Sequence, residues 1–226
     1  MSIKRIISPS DFLLPKINEN VILFFNLNHF FMFRDYCSAT KIKSFGPSKK
    51  YNFQHKGKSY TAIGGCIGAP LAVITLENAI ESGGKHFFTF GSAGWLSDSE
   101  EQPSLISRIS VVFDQTGISK DYGSISTTLQ LENQKKTEKD YQIVSANSFY
   151  QLTKEKVQIY REQNIALIDM EIAPLFFITT LYKLSLNPLF VISDFVDKEF
   201  KWNNISHSPA FLEALASGFN RLINFK

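Results

Sequence analysis

The stretch GGCIGAPLAVITLENAIESGGKHFFTFGSAGWL, residues 64–96, is the most informative part of the 226-residue chain. It holds seven of the twelve glycines. Apolar residues at near-helical spacing, with Pro70 in the first turn, predict a helix over 69–84 that ends at two glycines. The apolar run at 86–91 predicts a buried strand. Because glycine at the end of a strand lets backbone or a ligand approach closely, this stretch is a candidate binding region.

The rest of the chain alternates between predicted strands and helices. Short apolar runs predict strands at 21–26, 59–65, 105–114, 165–170 and 188–194. Apolar or amphipathic patterns predict helices at 149–164, 171–184 and 207–225. Near-continuous apolar strands separated by helices are typical of a sheet that is covered on both faces. We therefore predict an α/β fold, three-layer αβα, with a central mixed, mainly parallel sheet in one domain over residues 1–226.

Charge argues against a nucleic-acid partner. The chain has 24 basic and 21 acidic residues, a net charge of +3, and the two signs are interspersed. Such a distribution produces little long-range field for holding a polyanion. The one lysine cluster, which spans residues 41–58, is predicted to be the solvated surface of a hairpin.

Other features predict a cytoplasmic protein without a metal. No window reaches the ~18 continuous apolar residues that a membrane span needs, and the first residues lack the apolar run of a signal peptide. Two cysteines, Cys37 and Cys66, form no disulfide framework and indicate a reducing compartment. The four histidines are dispersed and predict no metal site.

Three predicted strands end in residues that are candidates for ligand binding or catalysis. Gly91-Ser92-Ala93-Gly94 follows the first, Asp169-Met170-Glu171 the second, and Ser193-Asp194 ends the third. In open α/β sheets ligands bind at the carboxyl ends of strands, where a carboxylate is held rigidly and can act as a general acid. The simpler alternative is that Glu171 and Asp194 cap helices and that Ser92 satisfies turn backbone groups.

Four ordered motifs resemble one enzyme family. The stretch 64–96 is similar to the glycine-rich core of the nucleoside phosphorylase and nucleosidase superfamily. SANSFY (145–150), IDMEIAPLF (168–176) and VISD (191–194) resemble three further segments of that family, in the same order. The resemblance covers about residues 57–200, and four motifs in register are far more specific than one.

The resemblance implies roles for individual residues. Asp194 would protonate the leaving purine, and Glu171 would bind the ribose hydroxyls. The substrate-binding residues would be Gly91, Ser92 and Ala93 beneath the sugar, Met170 against it, Phe149 stacked on the base, and Ser193. Core packing is the alternative for Phe149. No metal or organic cofactor is implied, although inorganic phosphate would be the co-substrate in phosphorolysis.

The nucleophile site departs from the family pattern. Thr89 stands where phosphorylases have a phosphate-binding arginine. Arg34, Arg108 or an arginine of a second subunit would then have to bind the phosphate from a different position in the fold. Residues 21–33 also lack the glutamate with which nucleosidases activate water. The only titratable candidate there is His29, which is expected to have its ordinary pKa near neutrality, and a residue of a neighbouring subunit is the alternative. We therefore favour hydrolysis over phosphorolysis. A catalytically inactive nucleoside-binding or scaffold protein is the alternative.

Two further expectations concern the substrate and the assembly. The stretch QLTKEK (151–156) lacks the Gln-x-Arg pair of pyrimidine-specific members, and Ser193-Asp194 is present, so the resemblance implies a purine-type nucleoside. Trp95 is expected to narrow the pocket. The apolar run NHFFMF (28–33) is expected to form an exposed surface, and with the family resemblance it predicts a homodimer or higher homo-oligomer.

Overall fold

The computed structural model describes residues 6–42, 48–99, 101–131 and 140–224. Its strands are β1 (Asn20–Phe24), β2 (Thr40–Lys41), β3 (Lys49–His55), β4 (Lys58–Gly64), β5 (His86–Trp95), β6 (Leu105–Ile106), β7 (Ile109–Asp114), β8 (Thr128–Gln130), β9 (Tyr141–Ser145), β10 (Ile165–Asp169), β11 (Ser185–Val196) and β12 (Trp202–Asn204). Its helices are α1 (Leu27–Cys37), α2 (Ala69–Glu81), α3 (Ile118–Asp121), α4 (Lys154–Glu162), α5 (Ile172–Leu181) and α6 (Pro209–Ile223).

The described strands form one mixed sheet. Its path runs β2-β3-β4-β1-β5-β10-β9-β7-β8, and β11 joins it by pairing with β5. The pairings β4–β1, β1–β5, β5–β11, β10–β9 and β9–β7 are parallel, whereas β10 pairs with β5 in the antiparallel direction. One apolar core lies between the sheet and α2 and α5, and a second lies between the sheet and α1 and α6. The α/β prediction of a mixed sheet between two helical layers is confirmed.

Most predicted elements occur where the apolar patterns place them, and two differ. The predicted strand 105–114 is two strands, β6 and β7, which pair with different neighbours. The predicted helix 149–164 begins only at Lys154, because the Thr153 hydroxyl caps it by accepting a hydrogen bond from the Lys156 amide. Phe149–Gln151 form a short 3₁₀ helix before that cap.

The expectation that NHFFMF forms an exposed apolar surface is wrong for His29, Phe30 and Phe33, whereas Met32 is exposed. These residues form the first two turns of α1, which Asn26 caps through hydrogen bonds from two helix amides. Phe30 and Phe33 are fully buried, with ring centroids 5.8 and 4.8 Å from that of Phe24. Aromatic residues three apart on a helix share a face, so Phe30 and Phe33 form a stripe of the core.

The lysine cluster is a hairpin, but it is not solvated throughout. β3 and β4 pair around a tight turn at Lys56–Gly57, as the sequence predicts. Lys50, in contrast, is only 2% exposed and makes no hydrogen bond through its ammonium group to any described residue. Burial lowers the pKa of Lys50. Lys43 lies outside the described residues.

Candidate functional site

A cleft of about 550 Å³ opens at the carboxyl ends of β5 and β11. Parallel pairing brings these two strand ends to the same edge of the sheet, and β10 approaches the end of β5 from the other side. The described residues that line the cleft are Asn26, Ser92, Leu96, Phe149, Tyr150, Leu152, Thr153, Lys154, Val157, Ile168, Ser193, Asp194, Val196, Phe200, Trp202, Asn204 and Ser206.

Asp194 is the only carboxylate among the described lining residues. The register of β11 against β5 shifts by one residue between Ile192 and Asp194, so Ser193 is the extra residue of a bulge. The Ser193 hydroxyl donates to Oδ1 of Asp194 at 2.6 Å, and the indole Nε1 of Trp202 donates to Oδ2 at 3.0 Å. Asp194 thus lies within a strand and caps no helix, which removes the simpler alternative for this residue.

Gly94 makes room for this carboxylate. A Cβ atom on Gly94 would lie 2.9 Å from Oδ2 of Asp194 and 3.0 Å from Cγ2 of Ile168. Side-chain atoms do not approach a Cβ so closely, so a larger residue here would displace the Asp194 carboxylate. Residue 94, the last of the pattern at 91–94, is therefore glycine because a side chain at this position would collide with Asp194.

Aromatic rings flank Asp194 across the cleft. Phe149, from the 3₁₀ helix, is 55% exposed, and Trp202, from β12, is 59% exposed. Large exposed aromatic faces at the mouth of a cleft are suited to stacking on a planar ligand. Sequence reasoning missed Trp202, because only the pairing of β12 with β11 brings it next to Asp194. Trp95, in contrast, is buried against Tyr141 and does not line the cleft, so the expectation that it narrows the pocket is wrong.

Glu171 does not lie on the cleft wall. It is 5% exposed, and its carboxylate accepts hydrogen bonds from the Gly68 amide at 2.6 Å and from its neighbour Met170 at 3.2 Å. Burial, together with the negative charge of Asp169, raises the pKa of Glu171 to about 8. Glu171 therefore joins the start of α5 to the start of α2.

Asp169, the last residue of β10, holds the start of α5, whose N-cap residue is Glu171. It is fully buried, and its carboxylate accepts hydrogen bonds from the Ser145 hydroxyl and from the amides of Glu171 and Ile172. Burial raises the pKa of Asp169 to about 6. The motif IDMEIAPLF thus places two interacting acids behind the cleft, one holding the end of β10 and the other holding the glycine-rich loop.

The remaining substrate-binding residues that the resemblance implies divide into two groups. Ser92 and Ser193 line the cleft together with Phe149 and Asp194. The group outside the described lining consists of Gly91, Ala93, Met170 and Glu171. The roles of both groups in binding a substrate stay predictions.

The cleft contains no arginine among its described lining residues. Thr89 is fully buried inside β5, Arg34 pairs with Asp35 on α1, and Arg108 pairs with Asp140 at 2.7 Å. The one cationic side chain of the described lining is Lys154. Neither arginine suggested as a phosphate ligand thus reaches the cleft.

The expectation of a near-neutral pKa for His29 is also wrong. The side chain is 6% exposed and lies between Phe90 and Phe211, with ring centroids 5.9 and 6.0 Å away. Burial lowers its pKa to about 4, because a buried imidazole loses the hydration that stabilises its charged form. His29 does not line the described part of the cleft, whereas Asn26, three residues earlier, does.

The described residues form neither a membrane-spanning helix nor a metal-binding cluster. None of the helices there is both long and apolar enough for a membrane span. Across the same ranges, no three His, Cys, Asp or Glu side chains converge as a metal site requires.

Solved structures share this fold. Uridine phosphorylase from Vibrio fischeri is 20% identical with a TM-score of 0.74, over 96% of this chain and 93% of that one. The 5'-methylthioadenosine/S-adenosyl homocysteine nucleosidase of Campylobacter jejuni is 14% identical with a TM-score of 0.73, over 92% and 97%. Purine nucleoside phosphorylase from Toxoplasma gondii is 13% identical with a TM-score of 0.71, over 92% and 90%.

Sequence comparison assigns the family. No curated protein sequence matches the chain significantly. The sequence profile of the phosphorylase superfamily, however, matches residues 33–223, which is most of the chain. This match confirms the resemblance that the four motifs indicate. The chain belongs to the phosphorylase superfamily.

Proposed function

We propose that the protein cleaves the N-glycosidic bond of a purine-type nucleoside, with water as the nucleophile. The observation that carries this proposal is the position of Asp194. Its carboxylate lies in a cleft between exposed aromatic side chains, at the strand ends where this fold class binds ligands. The family supports the reaction type, because the solved relatives include phosphorylases and a nucleosidase.

The cleft residues suit the charge changes of this reaction. As the bond between the sugar C1′ and the base nitrogen breaks, its electron pair moves to the base and positive charge develops on the sugar. Asp194, in its protonated form, donates its proton to the base and so stabilises the leaving group. Water then adds to C1′, and its released proton restores the acid. The products are the free base and the free sugar.

The chemistry of the lining favours water over phosphate. A bound phosphate dianion obtains most of its binding energy from charge-assisted hydrogen bonds, above all from bidentate arginine. The described lining contains serine and asparagine side chains and one lysine. Such groups can hold a neutral water molecule, which needs no compensating charge.

A substrate panel tests the proposal. The protein is incubated with purine and pyrimidine nucleosides, with and without inorganic phosphate, and the free base and the sugar product are quantified. We expect purine release at the same rate in both conditions, with free ribose as the second product. Formation of ribose 1-phosphate only when phosphate is present would show that phosphorolysis is the reaction. Preferential release of pyrimidines would refute the assignment of the base.

A second candidate function is supported by the lack of a general base, other than Asp194, among the described residues that line the cleft. Besides Asp194, the described lining contains no carboxylate and no histidine that could activate water. A protein that retains the pocket and binds nucleosides without cleaving them is consistent with this. Calorimetric binding of a purine nucleoside together with no base release over hours would establish this alternative.

A further inference from the structure

We infer that Trp202 is a positioning residue for Asp194: its indole N–H fixes the carboxylate of the proposed acid in the cleft. This inference rests on the proposed function, because it assigns Trp202 a part in the same reaction. Trp202 stands eight residues after Asp194, on the short strand that pairs with the end of β11. In the antiparallel register Asp194 faces Asn204, and Val196 faces Trp202.

The contacts hold the carboxylate from two sides. Nε1 of Trp202 lies 3.0 Å from Oδ2, and the Ser193 hydroxyl lies 2.6 Å from Oδ1. Each oxygen therefore has one fixed donor and keeps a second lone pair. A carboxylate held by two donors in different directions cannot rotate freely, and general acid catalysis depends on such orientation.

The two groups that donate to Asp194 differ in whether they can also accept a hydrogen bond from its carboxyl proton. An indole N–H can only donate, so Oδ2 stays an acceptor towards Trp202 whether or not Asp194 is protonated. A serine hydroxyl can donate or accept, so the Oδ1 side can accommodate the carboxyl proton by rotation of the hydroxyl. Trp202 thereby biases the transferable proton towards the side of the carboxylate that Ser193 contacts.

Trp202 is held by the hairpin rather than by burial. It is 59% exposed, so packing alone does not explain its orientation. The hairpin itself is closed by Asp197, whose carboxylate accepts hydrogen bonds from the amides of Glu199 and Lys201. These hydrogen bonds also lower the pKa of Asp197. The strand that carries Trp202 is therefore ordered independently of its contact with Asp194.

A double-mutant cycle separates positioning from stacking. Trp202→Phe keeps an aromatic ring but removes the donor, so we expect kcat to fall about tenfold, the rate equivalent of one charge-assisted hydrogen bond, with KM nearly unchanged. In the Asp194→Asn background the same change should have little effect on kcat, because the acid is already absent. Equal losses in both backgrounds, or a change confined to KM, would show that Trp202 only contacts the base.

A spectroscopic test is independent of any activity. The chain has two tryptophans, so the ¹⁵N-labelled protein gives two indole N–H signals, and Trp202→Phe identifies one of them by its loss. We expect Asp194→Ala to shift the Trp202 signal and to speed its exchange with water, while the buried Trp95 signal is retained. An unchanged Trp202 signal would overturn the inference. Absence of nucleoside cleavage in the wild-type protein, with the shift present, would refute the proposed function alone.

Discussion

Replacement of Glu171 by glutamine should remove the loss of stability that this residue causes at alkaline pH. In the wild-type chain the buried carboxylate accepts hydrogen bonds from the amides of Gly68 and Met170, at 2.6 and 3.2 Å. The glutamine carbonyl can keep the shorter bond, whereas its NH₂ group cannot accept the longer one. The substitution therefore conserves shape, removes a titratable group and loses one weak hydrogen bond.

The magnitude follows from the shift in pKa. Burial and the neighbouring Asp169 raise the pKa of Glu171 from its ordinary value of 4.5 to about 8. The unfolded chain ionises this group near the ordinary value, so between the two pH values the folded state binds more protons. Stability must then fall as pH rises through this range, by on the order of 5 kcal/mol in total. The lost hydrogen bond of the variant costs about 1 kcal/mol at every pH.

Urea unfolding at pH 5, 7 and 9 measures this difference. At pH 5 we expect Glu171→Gln to be slightly less stable than the wild type, and at pH 9 more stable by about 4 kcal/mol, the net of the two terms above. Glu213→Gln, at an exposed position of α6, is the matched control and should give a difference that does not vary with pH. If the difference in unfolding free energy between Glu171→Gln and the wild type were also the same at all three pH values, the reasoning would be refuted.

Three other predictions concern the site and the surface. Gly94→Ala should lower kcat at least tenfold and cost about 1–3 kcal/mol in urea unfolding, because the new Cβ would lie 2.9 Å from Oδ2 of Asp194; wild-type kinetics would contradict this. If Glu171 binds the ribose hydroxyls, ribosides should be cleaved at least tenfold faster than 2′-deoxyribosides, and equal rates would exclude that role. Ile67 and Ile74 are exposed near the start of α2, so light scattering at micromolar concentration should give at least a dimer, and a monomer would refute this.

The sequence predicts the elements of the fold well where apolar residues are continuous. β5, β10 and β11 are apolar runs in the sequence. The ends of β5 and β11 can be assigned to one sheet edge because these two strands are parallel, whereas the antiparallel pairing of β10 with β5 could not be predicted. Asp194 and Ser92 could be predicted as cleft residues for this reason. The run 28–33 could not be assigned so simply, because a continuous aromatic run does not distinguish a buried helix from an exposed surface.

The contacts, burial and pKa values that depend on residues far apart in the sequence could not be predicted. Trp202 reaches Asp194 only through a hairpin whose register the sequence does not specify. The pKa of His29 was expected near neutrality, but burial lowers it. Its ring lies near Phe90 and Phe211, which follow 61 and 182 residues later. Burial of Lys50 likewise depends on the side of β3 that faces the core. Local patterns identify such residues, whereas their environment comes from the assembled sheet.

Release of free base from a purine nucleoside, compared between the wild-type protein and Asp194→Asn, tests the central claim most directly. Asparagine has nearly the same shape as aspartate and can still accept the hydrogen bond from Trp202, so fold and nucleoside binding should persist. We predict that the wild type releases the base and that the variant does so about a hundredfold more slowly, the usual contribution of a general acid. Equal rates in the two proteins would contradict the assignment of Asp194 as the acid that protonates the leaving base.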